Sequence, residues 1–293
     1  MSALKPLLTL SIISIAIFSL VACSPVKLLN SLASASGGYS MTTANYGSLP
    51  RQQLDIYTPK TPPPNGGWPL VVFFYGGSWN SGERGDYKFV GAALASRGVL
   101  TLVADYRLYP EVRYPEFLMD SALALTYGIE HATALGGNPK RVFVMGHSAG
   151  AYNAAMLALD PRWLAATHHS NNELAGWIGL AGPYDFFPTE NPDAQPVFFH
   201  PNYPEKSQPI EFGSTHAIPT FLGSGVNDKL VSPTRSTQSM ATKLRANGTP
   251  VTLHMYEHAS HTTLIGAFSA PLRGVAPVRD QVVSFIQTTP PRE

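Results

Sequence analysis

Ser148 lies in Gly146-His147-Ser148-Ala149-Gly150, directly after the apolar run 142–145 and directly before a helical pattern over 149–159. A hydroxyl on a sharp strand-to-helix turn between two glycines is presented as a nucleophile. The N-terminus of the following helix favours the negative charge that develops there. Serine attacks poorly until a base takes its proton, and that base needs a carboxylate to orient it. Asp228, just past the apolar run 220–222, and His261, just past 251–255, are the candidate acid and base. Their spacing of 33 residues leaves room for one helix and one strand. Asp185, after the apolar stretch 179–184, is a rival acid; His254 and His258 are rival bases. Acyl transfer also needs N–H donors where a carbonyl oxygen becomes an anion. The backbone of Ala149 is one candidate. Gly77 and Ser78, in Tyr75-Gly76-Gly77-Ser78-Trp79, are the others, because glycine lets a backbone approach closely.

These side chains need strands that end beside one another. Residues 53–57 alternate polar and apolar, as in a half-buried antiparallel strand. Continuous apolar runs at 70–74, 99–103, 142–145, 177–180, 220–222 and 251–255 read as strands covered on both faces. Helical patterns fill the gaps at 87–97, 117–135, 149–159, 232–247 and 278–288, several ending at Gly or before Pro. The alternation predicts an α/β protein, a mostly parallel central sheet with helices on both faces, folded as one catalytic domain over 49–293. The Pro-rich stretch 186–218 has aromatics but little periodicity, and is expected as an irregular, lid-like insertion. Trp79, Trp163, Phe186, Phe187, Phe198 and Phe199 are candidate pocket aromatics.

Composition narrows the function classes. The 293 residues are 44% hydrophobic and 11% aromatic, too apolar for a disordered chain. Lys plus Arg total 20 against 19 for Asp plus Glu, which gives no electrostatic footprint for nucleic acid. One cysteine and no Cys/His cluster imply no metal site, and the proposed chemistry needs no organic cofactor. Residues 7–22 form an apolar run of about 24 Å as a helix, short of a roughly 30 Å hydrocarbon core. It ends at Leu20-Val21-Ala22-Cys23-Ser24, which resembles the lipobox of bacterial lipoproteins. That resemblance implies a signal peptide over 1–22, lipid on Cys23 and a membrane-anchored mature chain with equal numbers of acids and bases. Ser24 resembles the outer-membrane sorting signal of Gram-negative envelopes. Residues 23–48, rich in Ser, Ala and Gly, read as a flexible tether.

Taken together, the segments from about 50 to 288 resemble the α/β-hydrolase superfamily of serine esterases. The branch is that of bacterial carboxylesterases, acetyl-esterase-like and feruloyl-esterase-like enzymes, close to arylformamidases. The resemblance rests on Phe74-Tyr75-Gly76-Gly77-Ser78-Trp79, Ala104-Asp105-Tyr106-Arg107-Leu108-Tyr109-Pro110-Glu111, Gly146 to Gly150, and Gly182-Pro183-Tyr184-Asp185. It implies an α/β-hydrolase fold and hydrolysis of small-molecule acyl esters through an acyl-enzyme on Ser148, with Asp228 and His261 where the family carries its acid and base. An arylformamidase-like amide hydrolase and a non-catalytic, lipid-anchored binding protein on the same scaffold are the alternatives. Two positions depart from the family pattern. Tyr75 stands where many relatives have His before the two glycines, and His258 stands where Gly is common.

Overall fold

A computed structural model describes residues 30, 37–213 and 218–293. The expected signal peptide 1–22, the expected lipidation position Cys23 and the expected tether up to 36 lie outside the described residues, Asn30 excepted.

The described strands form one eight-stranded sheet in the order β1-β2-β4-β3-β5-β6-β7-β8. They are β1 (Tyr39–Asn45), β2 (Gln53–Pro59), β3 (Trp68–Phe74), β4 (Leu100–Ala104), β5 (Gly137–His147), β6 (Leu174–Leu180), β7 (Thr220–Gly225) and β8 (Val251–Tyr256). β1 and β2 run antiparallel to their neighbours, and every pairing from β4 to β8 is parallel. The helices are α1 (Lys88–Ala95), α2 (Glu116–His131), α3 (Ala149–Leu159), α4 (Pro161–Ala165), α5 (Ser239–Ala246), α6 (His261–Gly266) and α7 (Val278–Thr288).

Register shows why the central strands are apolar on both sides. Val72 sits opposite Leu102 and Val144, and Val71 opposite Phe143, so the two sets point to opposite faces. On the Val72 face, Gly128 of α2 lies so close that a Cβ there would meet the Val72 side chain at 2.6 Å. On the Phe143 face, Phe285 of α7 packs against Phe143 and Phe221, with ring centroids 6.2 and 5.7 Å apart. Helices therefore cover both faces, and every residue of β3 and β6 is buried. This is the α/β-hydrolase fold expected from the alternating pattern and the motifs.

The structure departs from the sequence reading in the tether. Residues 39–45 form β1, paired residue for residue with β2. This edge strand is mostly exposed, so Tyr-Ser-Met-Thr-Thr-Ala-Asn has no apolar period to reveal it. The main-chain ladder and a Tyr39–Tyr57 ring contact at 5.6 Å hold it. The excursion between β6 and β7 is irregular as expected, with one 3-10 turn at Pro209–Phe212. It is fastened at many points. The Gln208 side-chain oxygen accepts the N–H groups of Phe186 and Phe187, and the Tyr152 hydroxyl donates to the Ser207 carbonyl at 2.6 Å. No helix among the described residues is long and apolar enough to cross a membrane.

Candidate active site

β5 ends at His147 and α3 begins at Ala149, leaving Ser148 alone on the turn with φ 55° and ψ −125°. That backbone region is costly for a residue with a Cβ, typically by about 1–3 kcal/mol, and persists only where the surroundings enforce it. The flanking glycines supply the enforcement. A Cβ on Gly146 would lie 2.1 Å from the Gly150 carbonyl oxygen, and one on Gly150 would lie 2.1 Å from that of Phe74. The Ser148 N–H is held by the Leu180 carbonyl at the end of β6, at 2.9 Å. Sheet, turn and helix thus pin the hydroxyl from three sides.

The Ser148 Oγ donates to His261 Nε2 at 2.8 Å, and His261 Nδ1 donates to Asp228 Oδ2 at 2.7 Å. Asp228 sits on the turn after β7, and its other oxygen accepts the N–H groups of Leu230 and Val231, each at 2.9 Å. Burial opposes ionisation of this carboxyl. The His261 hydrogen bond and charge, with the two backbone donors, outweigh it and hold the carboxyl below its ordinary value. Asp228 therefore stays an anion facing the imidazole. His261 is the first residue of α6, whose Ser260 cap receives the Thr263 N–H at 3.3 Å. The candidate base is thus fixed by a capped helix start rather than a free loop.

The rivals stand apart from this chain of bonds. Asp185 pairs with Arg235 at 2.9 Å on the cavity wall. His254 lies along β8 against the Phe221 ring, at 5.4 Å between centroids, and His258 is exposed.

The loop after β3 reaches the same point from the other side. A Cβ on Gly76 would lie 2.8 Å from the Ser148 Cβ, so this loop passes directly beside the nucleophile. Gly77 has φ 135°, Ser78 49° and Trp79 58°, three positive-φ residues in succession. The Gly77 carbonyl is occupied by the N–H groups of Asn80 and Ser81. The N–H groups of Gly77, Ser78 and Ala149 donate to no other described atom.

A cavity of about 710 Å³ opens over Ser148 and His261, within the usual range for a small-molecule site. Of the six candidate pocket aromatics, Trp79 and Phe186 line it. Phe198 packs behind them, its ring 4.8 Å from Trp79 and 5.3 Å from Phe186. Trp163 packs on Tyr114, and Phe199 is partly exposed beneath Arg113. The opposite rim carries Lys229, Leu230 and Val231. Among the described residues no group of three His, Cys, Asp or Glu side chains is placed to hold a metal ion.

Sequence reasoning did not single out His147 as part of the machinery. Its Nε2–H donates to the His261 carbonyl at 3.0 Å, with the two rings 4.9 Å apart. Complete burial, then the neighbouring His261, pushes its pKa down to about 3, so it is neutral at any ordinary pH. A backbone acceptor leaves no trace in sequence, so only its place inside the pentapeptide could have drawn attention to it.

A parallel sheet that presents a serine on a strand-to-helix turn, with an aspartate and a histidine on loops after later strands, defines an α/β-hydrolase. Within that class the chain belongs to the BD-FAE family, whose profile matches residues 54–244. It is 27% identical over 267 residues to isoprenylcysteine alpha-carbonyl methylesterase of Arabidopsis thaliana, covering 82% of this chain and 60% of that one. It is 28% identical over 219 residues to esterase LipC of Mycobacterium tuberculosis, covering 69% and 54% of the two. The chain thus spans at most 60% of the length of these curated relatives. The propionate-bound esterase 2 of Thermogutta terrifontis shares the fold with a TM-score of 0.69. Its identity is 21%, over 88% of this chain and 97% of that one.

Proposed function

We propose that the protein is a serine carboxylesterase that hydrolyses small acyl esters through an acyl-enzyme on Ser148. The observation that carries this reading is the unbroken relay from Ser148 through His261 to Asp228, with both bonds under 3 Å. His261 takes the Ser148 proton as the oxygen attacks the ester carbonyl, and returns it to the departing alcohol. Asp228 holds the imidazole in the tautomer with Nδ1 protonated and stabilises its cation. The N–H groups of Gly77, Ser78 and Ala149 face the developing oxyanion. Water, deprotonated by His261, then attacks the acyl-enzyme and releases the acid. The named esterases among its relatives agree with this chemistry.

Ser148→Ala is expected to lower kcat on p-nitrophenyl acetate by about 10⁶ while leaving the thermal melt unchanged, because triad members act as a unit. Wild-type-like turnover in that variant would overturn the assignment. A panel of acyl esters of rising length reads the acyl preference, and an N-formyl aryl amine run beside it tests amide cleavage. Trp79 and Phe186, backed by the fully buried Phe198 and Tyr152, support a preference for short acyl groups on that side.

We also propose that Cys23 carries lipid and anchors the mature chain in a bacterial envelope, in the outer membrane. The support is the apolar run and the small residues preceding Cys23. An alkyne fatty acid fed to expressing cells should label the protein, and Cys23→Ser should abolish labelling and release the protein from membranes. Equal labelling of Cys23→Ser would refute the anchor.

A further inference from the structure

Tyr75 opens the loop that carries Gly77 and Ser78. Its ring is fully buried between Tyr106 and Tyr87, stacked at 4.9 and 5.5 Å. Its hydroxyl donates to Asp105 Oδ1 at 2.9 Å and accepts from Arg51 Nη2 at 2.6 Å. The same Nη2 donates to the Gly82 carbonyl at 2.8 Å, and Arg51 Nε donates to the Tyr106 carbonyl at 2.9 Å. The Tyr106 hydroxyl in turn donates to the Tyr75 carbonyl at 2.8 Å. Arg51 therefore grips both ends of the loop, Tyr75 at its start and Gly82 at its finish, and ties them to the end of β4. Asp105 is buried and also accepts the Arg84 backbone N–H at 2.7 Å and its guanidinium, so it stays paired if Arg51 is lost.

The loop needs such a brace. Ser78 and Trp79, which carry a Cβ at positive φ, store strain, and among the described residues the Ser78 side chain has one hydrogen-bond partner, the Asn191 amide at 3.1 Å. An oxyanion donor works only if it is fixed where charge will develop, and a 1 Å displacement far from the chemistry can cost about 10² in rate. We propose that Arg51 and the Tyr75 hydroxyl are positioning residues that hold the Gly77–Ser78 donors in register with Ser148. The inference rests on the oxyanion role proposed above for those N–H groups.

Tyr75→Phe removes one oxygen, and Arg51→Met removes the guanidinium while Arg84 keeps Asp105 paired. Each variant is expected to lower kcat on p-nitrophenyl acetate by about 10-fold or more, with KM within about twofold. Affinity for a trifluoromethyl ketone, which forms a tetrahedral adduct, should fall in parallel. Millimolar guanidinium should restore part of the Arg51→Met rate and none of the Tyr75→Phe rate. Activities are normalised to folded protein by circular dichroism, so a fold-only role would lower the melt and leave kcat and ketone affinity unchanged. That result would overturn the proposal. Ser148→Ala run alongside separates the two ideas. If it is inert while both brace variants keep full kcat, the brace fails and the esterase reading stands. If Ser148→Ala is itself active, the esterase reading fails first.

Discussion

At the scale of single residues, the candidate active site is a set of proton positions fixed by partners. His147 shows this most clearly. Its Nε2–H is committed to the His261 carbonyl, so Nδ1 must carry the lone pair, and that atom is buried with no partner among the described residues. His147→Ala removes the side-chain donor from that carbonyl and loosens the segment that carries His261. The expected cost is about 1–3 kcal/mol of stability with a fall in kcat, read by urea unfolding and by steady-state assays on one preparation. His147→Gln, whose amide can still donate, should recover most of both. Asp228→Asn keeps the shape but not the charge, and should lower kcat by about 10⁴ while the melt barely moves. The grouping of Ser148, Asp228 and His261 was legible because a pentapeptide and two strand ends confine them. The Tyr75–Arg51–Asp105 brace was not, since its members come from three separate stretches of chain and only Tyr75 stood out, as a departure from family pattern.

At the scale of elements, the nucleophile depends on how closely β3, the Ser148 turn and α3 approach. Gly150 is where that approach is tightest, for its missing Cβ would sit 2.1 Å from the Phe74 carbonyl oxygen and 2.5 Å from that of Tyr75. These contacts are backbone and cannot rotate away. Gly150→Ala must push α3 off β3, and with it shift the oxyanion loop that begins at Tyr75. It is expected to destabilise by about 1–3 kcal/mol, as overpacked cores do, and to depress kcat beyond the loss of folded protein. A melt and a rate equal to wild type would refute the close approach. The central strands were legible because burial on both faces leaves unbroken apolar runs. β1 was not, because an exposed edge strand is held by main-chain bonds that any sequence can make. The irregular stretch 186–218 was visible only as missing periodicity; its fastening through Gln208, Tyr152 and Asn191 depends on distant partners.

For the whole molecule, the buried imidazole gives stability a direction with pH. His147 binds its proton only near pH 3 when folded, against about 6.5 in an unfolded chain, so acid favours the unfolded state across that window. Its contribution is complete above about 6.5 and is lost as pH falls toward 3, by up to about 1.4 kcal/mol per pH unit. His254, also lowered by burial, acts in the same sense. Asp228 adds a further loss only below the ordinary carboxylate range, because its folded value is depressed. His169 opposes them. Burial lowers its pKa, but hydrogen bonds to Glu173 and Glu130 outweigh that and raise it, so its contribution is present in acid and fades as pH rises. Two lowered histidines against one raised leave a net decline on acidification. Urea midpoints taken from pH 8 to pH 4 should therefore fall, with most of the slope below 6.5. His147→Gln keeps the bond to the His261 carbonyl but cannot titrate, so its midpoint should fall less steeply over the same range. If the two proteins show parallel pH profiles, folding leaves the His147 pKa where it is in the unfolded chain and the depression assigned to burial is wrong.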